Sequence, residues 1–212
     1  TEEIYANQYV IDSTDEFAAR ISQIEDESVV LLDVGRHRLE DMEAWGIRPL
    51  NVYQGMAMHA LLDTGLDLNL LIGAAGSGKT LLSLACALEL VVEQKRYSKI
   101  VVTRSTPPVA EDIGFLPGTE EEKMMPWLAA IHDNLEALHE HDDNPEASIR
   151  FALEKGNIQF KSLNFIHNPL RMHGFLTSRR NTFKILMKAL VELAKILPTN
   201  GIPIAENIVS GL

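Results

Sequence analysis

The stretch that decides the fold is LLIGAAGSGKTLLSLA, residues 70–85. An apolar run leads into a loop of glycine, alanine and serine, and a second apolar run follows the loop. Residues 66–72, LDLNLLI, predict a strand buried on both faces, and residues 80–95 have the length and composition of a buried helix. The glycine-rich loop, residues 73–78, therefore connects a strand to a helix with almost no side chains of its own.

Residues 73–80, GAAGSGKT, match the pattern G-x-x-x-x-G-K-[ST]. Between a strand and a helix this pattern is typical of a phosphate-binding loop. Glycines permit backbone angles closed to other residues, and small neighbours allow successive N–H groups to face an anion. The dipole of the following helix adds to the attraction. The alternative is a glycine-rich turn in which the lysine occurs by chance.

The phosphate-binding interpretation assigns roles to single residues. Lys79 is expected to contact the β- and γ-phosphates of ATP, and the Thr80 hydroxyl to ligate Mg²⁺. Both are candidate catalytic residues, and Thr80 is the candidate metal ligand. The predicted nucleotide-binding residues of the loop and first helical turn are Gly73, Ala74, Ala75, Gly76, Ser77, Gly78, Lys79, Thr80 and Leu81.

Residues 99–104, KIVVTR, predict the next strand. Strand, helix and strand at this spacing form a βαβ unit with parallel strands and a right-handed crossover. Arg104 ends this strand, where open α/β sheets place ligand-binding groups. We expect it to act at the site, by contacting a phosphate or a nucleic-acid backbone, or else to form a salt bridge. The fold class predicted is α/β, with a mainly parallel sheet flanked by helices.

Other elements follow from periodicity and capping patterns. Ser13 and Glu16 have the spacing of a capping box, which predicts a helix between two strands. The strands are predicted at residues 8–11, 28–34 and 157–166, and further helices at 39–46, 52–63, 120–141 and 179–197.

The composition limits the classes of protein to which the chain can belong. The chain has 212 residues, 46% of them hydrophobic, and a net charge of -11, which argues against a surface that coats nucleic acid but permits a local basic channel. Cys86 is the only cysteine, so a reducing compartment fits. Residues 1–17 show no secretory signal, and the longest apolar stretch, residues 81–92, is too short to span a bilayer. We expect a cytoplasmic protein without a membrane segment.

Residues 99–127, KIVVTRSTPPVAEDIGFLPGTEEEKMMPW, resemble the PhoH-like family of RecA-like P-loop ATPases related to superfamily 1 helicases. The family's T-R, E-D-[IL]-G-F-L-P-G and E-E-K-M-x-P-W blocks match Thr103–Arg104, Glu111–Gly118 and Glu121–Trp127. Residues 45–54, WGIRPLNVYQ, resemble the family's adenine-side segment, with Asn51 and Gln54 in the matching places. The resemblance covers about residues 45–166.

The resemblance implies a function and its partners. It implies binding of ATP and Mg²⁺, work on RNA that includes helicase activity, and homo-oligomeric assembly, a hexameric ring among the forms. It also implies that Gln54 binds adenine through its amide; the alternative is a solvent-facing helix residue.

The resemblance stops near residue 166. The family continues with an Asp-Glu pair that holds Mg²⁺ and orients the attacking water, and no such segment is readable in residues 167–212. Charge reverses at the same place: residues 1–163 carry 13 basic and 28 acidic side chains, and residues 164–212 carry 6 and 2. We therefore predict an N-terminal α/β extension or linker (1–46), a P-loop ATPase core (47–166) and a divergent, mainly helical segment (167–212).

Three functions are compatible with these patterns. The first is a Mg²⁺-dependent ATPase that couples hydrolysis to RNA binding or unwinding. The second is a nucleotide-binding assembly or switch module without appreciable hydrolysis, because the Asp-Glu segment is not readable. The third is a small-molecule kinase, for which no acceptor pocket is recognisable.

Two other groups of polar residues have structural interpretations. Glu111 and Asp112 are expected to fix their loop rather than to bind a metal. His132, His139 and His141 are spaced i, i+7 and i+9. A helical metal site places its histidines at i and i+4, so we expect these three to be surface residues.

Overall fold

The computed structural model of the chain describes residues 4–12, 16–26, 28–66, 68–104, 120–162, 182–187 and 204–205. The chain forms two compact units: Thr1–Cys86 with Thr199–Leu212, and Ala87–Pro198. The division falls inside one helix, so the glycine-rich loop belongs to the first unit and the strand at residues 99–104 belongs to the second.

The first unit begins with three antiparallel strands, β1 (Tyr9–Ile11), β2 (Ala18–Ile24) and β3 (Val29–Asp33). The sheet order is β1-β2-β3, which places β2 in the centre. The strands predicted at residues 8–11 and 28–34 are confirmed.

The helix predicted to begin at Ser13 is wrong, because β2 occupies most of the segment. Ala18, Ala19 and Ile21 of β2 are buried. The strand pairs with a neighbour along both edges, so its backbone groups are satisfied by the sheet. This tertiary pairing outweighs a local capping pattern.

Two helices follow the sheet, α1 (Arg36–Glu40) and α2 (Val52–Leu62). The helix predicted at 52–63 is confirmed, whereas the one predicted at 39–46 ends almost where it was expected to begin. Residues after α1 form a tight turn in which Trp45 and Gly46 have φ of 49° and 76°. Two successive left-handed residues are incompatible with a continuing helix.

The helices and the sheet share a buried apolar cluster. Gly55 lets α2 approach α1 closely, because a Cβ at this position would collide with the carbonyl oxygen of Leu39. The buried members of the cluster are Ala18, Val34, Leu39, Val52 and Met56.

The glycine-rich loop lies between β4 (Leu68–Asn69) and α3 (Lys79–Leu88). The strand predicted over 66–72 is thus confirmed for two residues, and it pairs in parallel with β8 (Ile204–Ala205). The predicted helix is confirmed, and it ends in an unpredicted π-helical turn at Glu89–Glu93.

The second unit contains a three-stranded parallel sheet. Strand β5 (Lys99–Arg104) lies between β6 (Ile158–Ser162) and β7 (Thr182–Met187). Helices α4 (Glu120–His139) and α5 (Pro145–Lys155) complete the described part of this unit. The strand predicted at 99–104 and the helix predicted at 120–141 are confirmed, and the strand predicted at 157–166 is confirmed over β6.

The amphipathic helix predicted at 179–197 is wrong over residues 182–187, which form β7. This strand pairs with β5 along its whole length, from Lys99 opposite Thr182 to Arg104 opposite Met187. The edge of β5 supplies a hydrogen-bonding partner, and threonine, phenylalanine and isoleucine fit a pleated surface well. The prediction rested on the helical spacing of the apolar residues, which contains no information about pairing with β5.

The predicted α/β character is confirmed for the described residues, but the predicted single sheet is not. Strands β4 and β5 belong to separate parallel sheets, and the N-terminal sheet is antiparallel. The described residues therefore show helices with small parallel sheets, and a continuous RecA-like sheet stays a prediction.

Candidate nucleotide-binding loop

The glycine-rich loop leaves β4 and enters α3, which is the order that the sequence predicts. Gly76 and Gly78 have φ of 81° and 83°, in the left-handed region that favours glycine. A Cβ built on Gly76 would meet no atom within 4 Å. The loop is thus bent by its glycines and is open on the side that Gly76 presents.

Main-chain N–H groups concentrate at the point where the loop becomes α3. A helix leaves its first N–H groups without intrahelical partners, and the loop adds further donors. Five of these groups meet no hydrogen-bond acceptor among the described residues, namely those of Ala75, Gly76, Gly78, Lys79 and Thr80. Such a cluster of donors at a helix N-terminus is suited to bind phosphate oxygens.

The ammonium group of Lys79 lies over the same loop. Its Nζ donates to the carbonyl oxygens of Gly73 at 3.0 Å and Ala74 at 2.5 Å, and to Oγ of Ser77 at 2.9 Å. All three acceptors are uncharged. Hydrogen bonds from an ammonium to phosphate oxygens are stronger than bonds to neutral acceptors. A phosphate oxygen would be a stronger acceptor for this ammonium group than the three present ones, and contact of Lys79 with phosphate stays a prediction.

Gln54 connects α2 to the loop. Its side chain is buried, with the residue 8% exposed. Its Oε1 accepts from the N–H of Leu50 at 2.7 Å, and its Nε2 donates to the carbonyl oxygen of Ser77 at 3.2 Å. The interpretation of Gln54 as a solvent-facing residue is therefore wrong. An amide nitrogen carries two N–H bonds, so one remains for a ligand, and adenine binding by Gln54 stays a prediction.

The sequence contains a pattern that could have predicted how Gln54 is held at the start of α2. Asn51 caps α2, because its Oδ1 accepts from the N–H of Gln54 at 3.0 Å. Asn-x-x-Gln before an apolar run has the spacing of a capping box. A Cβ on Gly78 would lie 3.3 Å from Nε2 of Gln54, which is a tight contact, and the φ of 83° at this position also favours glycine.

The remaining predicted site residues occupy two places. Thr80 and Leu81 lie in the first turn of α3, half-buried and next to Lys79. Arg104 is the last residue of β5, in the second unit. Contact of Thr80 with Mg²⁺, and of Arg104 with a phosphate or a nucleic-acid backbone, stay predictions.

The described strands of the second unit, β5, β6 and β7, carry no acidic residue at their carboxyl ends. The register places Arg104 of β5 beside Ser162 of β6 and Met187 of β7. Among the described residues, no group of three or more His, Cys, Asp or Glu side chains is arranged to hold a metal ion. Contact of Mg²⁺ with Thr80 stays a prediction from the sequence. Mg²⁺ keeps several waters and is commonly bound through few protein ligands and the substrate phosphates, which fits this set.

One of the three histidines singled out in the sequence is not a surface residue. His139, in the last turn of α4, is 7% exposed, and its Nδ1 lies 2.8 Å from Oδ2 of Asp142. The turn after α4 brings the carboxylate of Asp142 back over the helix end. His132 and His141 are exposed, as predicted. Glu111 and Asp112 lie outside the described residues.

A polar network packed between the N-terminal sheet and α2 has no local sequence signal. The Tyr9 hydroxyl lies 2.6 Å from Nδ1 of His59, and Arg20 forms a 2.6 Å ion pair with Asp63. Burial and the positive charge of Arg20 lower the pKa of His59 below 6.5, and burial raises the pKa of Tyr9. The partners lie 50 and 43 positions apart in the chain, so only the tertiary fold brings them together.

Comparison with known proteins places this loop in a family. A family model described as PhoH-like protein matches residues 46–168, more than half of the chain. The chain belongs to the PhoH-like family. The resemblance predicted over residues 45–166 is thereby confirmed. PhoH-like proteins generally bind ATP, and the family implies a P-loop NTPase fold.

Several relatives match part of this PhoH-like chain. Protein PhoH2 of Bacillus subtilis is 46% identical over 127 residues, which cover 60% of this chain and 28% of that protein. Protein PhoH2 of Mycolicibacterium smegmatis is 42% identical over 99 residues, 46% of this chain and 23% of that protein. A PhoH-like protein of Mycobacterium leprae is 35% identical over 119 residues, 55% of this chain and 32% of that protein. The matched part thus spans about a quarter to a third of these relatives.

The described helices also bear on the predicted absence of a membrane segment. Within the part of the chain that the structure describes, no helix of this PhoH-like protein combines the length and the apolar character needed to cross a membrane.

Proposed function

We propose that this PhoH-like chain binds ATP together with Mg²⁺ and hydrolyses ATP in a cycle coupled to RNA binding or unwinding. The observation that carries the proposal is the loop between β4 and α3, where main-chain N–H donors surround an ammonium group held only by neutral acceptors. Positive charge and unpaired donors on an open loop fit a polyphosphate better than a neutral ligand.

Each part of the site has a role in this proposal. The N–H groups of the loop bind phosphate oxygens, and Lys79 leaves its contacts with the loop to bind the β- and γ-phosphates. Thr80 ligates Mg²⁺, which when bound neutralises charge on the transferred phosphoryl group. Gln54 holds the loop through Ser77 and gives its remaining N–H to adenine. Arg104 contacts a phosphate or the RNA backbone.

A second candidate function is a nucleotide-dependent assembly or switch module without appreciable hydrolysis. Two observations favour it. The family's Asp-Glu segment is not readable in residues 167–212, and the described strand ends at Arg104, Ser162 and Met187 carry no carboxylate. Without a carboxylate to orient water, the attack on the γ-phosphate loses its main protein contribution.

Phosphate release, measured with and without single-stranded RNA, separates the candidates. Turnover stimulated by RNA supports the ATPase, and ATP binding with no phosphate release supports the switch module. Phosphoryl transfer to a small acceptor alone supports a kinase. Lys79→Ala is the matched control, because loss of the ammonium removes the phosphate contact in all three cases.

The partners and organisation of the protein are part of the same proposal. We propose a homo-oligomer, with a hexameric ring as one form, that works on RNA in the cytoplasm. Its nucleotide-binding core is the segment 47–166, between an N-terminal extension or linker (1–46) and a divergent C-terminal segment (167–212).

A further inference from the structure

The ammonium group of Lys79 connects the two ends of the glycine-rich loop. Its Nζ donates to the carbonyl oxygens of Gly73 and Ala74 at the start of the loop, at 3.0 Å and 2.5 Å, and to Oγ of Ser77 near its end, at 2.9 Å. A lysine ammonium carries three N–H bonds. The loop accepts all three, so Lys79 must give up at least one of these hydrogen bonds in order to contact a phosphate.

Ser77 differs from the other two acceptors of Lys79. Its hydrogen bond to the ammonium is part-buried, whereas the bonds to Gly73 and Ala74 are exposed. Water competes less for a hydrogen bond that is partly shielded from solvent. The acceptor of Ser77 also belongs to a side chain, so a substitution can remove it while the main chain keeps its groups.

The main chain of Ser77 is held on both sides. Its carbonyl oxygen accepts from Nε2 of the buried Gln54 at 3.2 Å, and its N–H donates to the carbonyl oxygen of Ala74 at 3.4 Å. The hydroxyl therefore projects from a fixed backbone. Because the N–H group of Ser77 already has an acceptor, the group of this residue that is available to control Lys79 is the hydroxyl.

Two sets of partners compete for the ammonium of Lys79. In one arrangement the loop binds it, and in the other it contacts the phosphates, as in the proposed function. When only one of two arrangements binds a ligand, the apparent dissociation constant is the intrinsic constant divided by the fraction in that arrangement. The hydrogen bond to Ser77 stabilises the loop-bound arrangement alone. Ser77 is half-buried, so its hydroxyl can bind water after Lys79 has left.

We propose that Ser77 is a positioning residue whose hydroxyl holds Lys79 in the loop and thereby weakens the binding of nucleotide. The contact is self-inhibitory: it lies within the phosphate-binding segment and must break before the lysine contacts a phosphate. This inference rests on the proposed function, because it takes Lys79 as the residue that contacts the β- and γ-phosphates.

Titration calorimetry of a non-hydrolysable ATP analogue with Mg²⁺ tests the direction of the effect. We expect Ser77→Ala to bind the analogue more tightly than the wild-type chain, by about three- to tenfold, because one hydrogen bond that retains the ammonium is lost. Ser77→Thr restores a hydroxyl at this position and should reverse the gain. Ser22→Ala is the matched control, since its hydroxyl donates to Val30 at 3.0 Å in the N-terminal sheet and should not affect nucleotide affinity.

Urea unfolding without nucleotide tests the contact itself. In a double-mutant cycle, Ser77→Ala should raise the unfolding equilibrium constant by about three- to tenfold in the wild-type background and have little effect in the Lys79→Ala background. Ser77→Ala is then less stable without nucleotide and yet binds the analogue more tightly. A role of Ser77 in the structure of the loop alone would weaken both properties.

The outcomes separate this inference from the proposed function. Two results overturn the inference alone: an ATP analogue that binds Ser77→Ala no more tightly than the wild type, and equal losses of stability from Ser77→Ala in the two backgrounds. A folded wild-type chain that binds no analogue overturns the proposed function, and this inference with it.

Discussion

The Nε2 atom of Gln54 in α2 donates to the carbonyl oxygen of Ser77 in the glycine-rich loop at 3.2 Å, across 23 positions of sequence. The oxygen atom of the same amide accepts from Leu50 at 2.7 Å, so the buried side chain is fixed at both ends. A hydrogen bond from an anchored group restricts the loop before any ligand arrives. The helix α2 thereby pre-organises the phosphate-binding segment.

The hydrogen bond from Gln54 to Ser77 predicts how Gln54→Ala affects the binding of different nucleotides. Loosening the loop weakens phosphate binding for any base, so the dissociation constants of ATP and GTP analogues should both rise, by about five- to tenfold for ~1 kcal/mol, and loss of the proposed adenine contact should raise that of the ATP analogue further. Titration calorimetry measures both. If the GTP analogue binds as before while the ATP analogue weakens, Gln54 acts on adenine and not on the loop. Gln23→Ala, at an exposed position of β2, controls for loss of a glutamine.

The two left-handed glycines of the loop are expected to differ in their tolerance of alanine. Alanine at either position costs roughly 1–2 kcal/mol for the backbone conformation. At Gly78 the new Cβ would also press on Nε2 of Gln54 at 3.3 Å, whereas at Gly76 it would meet nothing within 4 Å. Urea unfolding without nucleotide should therefore show a larger loss of stability for Gly78→Ala than for Gly76→Ala. Equal losses would contradict the close approach of Gln54.

Because α2 packs closely on α1 at Gly55, we expect replacement of this glycine by a larger residue to destabilise the fold. A Cβ there would collide with the backbone oxygen of Leu39, so one helix must move. We expect Gly55→Ala to lower the free energy of unfolding by about 1–3 kcal/mol. Gly65→Ala is the control, since its Cβ would approach the carboxylate of Asp63, at 3.0 Å, and no backbone atom within 4 Å. A Gly55→Ala variant as stable as the control would mean that the helices are not in this contact.

The network around His59 predicts a loss of stability on acidification. Burial, then the charge of Arg20, holds the pKa of His59 in the folded protein below 6.5. The unfolded chain therefore takes up the proton more readily, and stability falls as the pH drops from 6.5 toward the folded-state pKa. The pKa of Asp63 is also lowered: burial opposes the shift, but hydrogen bonds from Arg20 and Gly65 outweigh it. The contribution of Asp63 to the free energy of unfolding is lost in a separate range, as the pH falls below 3.8.

His59→Asn tests this pH dependence. Asparagine does not titrate, yet it keeps an oxygen that can accept from the Tyr9 hydroxyl. Urea unfolding at pH 7.5 and pH 5 should show a smaller difference for the variant than for the wild-type chain. His37→Asn, at an exposed position of α1, should retain the wild-type difference. The same pH dependence in His59→Asn and the wild type would remove His59 from the explanation.

Local chemistry made part of this structure predictable. The pattern of residues 73–80 specifies a strand–loop–helix segment because both the glycines and the lysine are needed within one turn of chain. Helix α2 and strand β5 were predictable for a similar reason, since each is a mainly apolar run of the length typical of its element. These signals lie within about ten residues.

The errors arose where distant partners decided the outcome. The capping-box spacing at Ser13 and Glu16 is as good locally as that of Asn51 and Gln54, but only the second begins a helix. At β2, the two neighbouring strands satisfy the backbone more completely than a helix would. Strand β7 is a similar case, because its partner β5 lies about 80 residues earlier.

The site itself was predictable only in part. The loop residues and Lys79 followed from the motif, but the bond of Gln54 to Ser77 did not, because it joins elements that are far apart in sequence. The ion pair of Arg20 with Asp63 is hidden for the same reason. Contacts between residues so far apart in the sequence can be recognised only in a three-dimensional structure.

Calorimetric titration of a non-hydrolysable ATP analogue with Mg²⁺ into the wild-type chain and Lys79→Ala tests the central claim most directly. The loop of N–H donors and the single ammonium should bind the polyphosphate in the wild type, and removal of the ammonium should raise the dissociation constant by at least about a hundredfold, with the fold intact by circular dichroism. Equal binding by both chains, or none by a folded wild type, would contradict it.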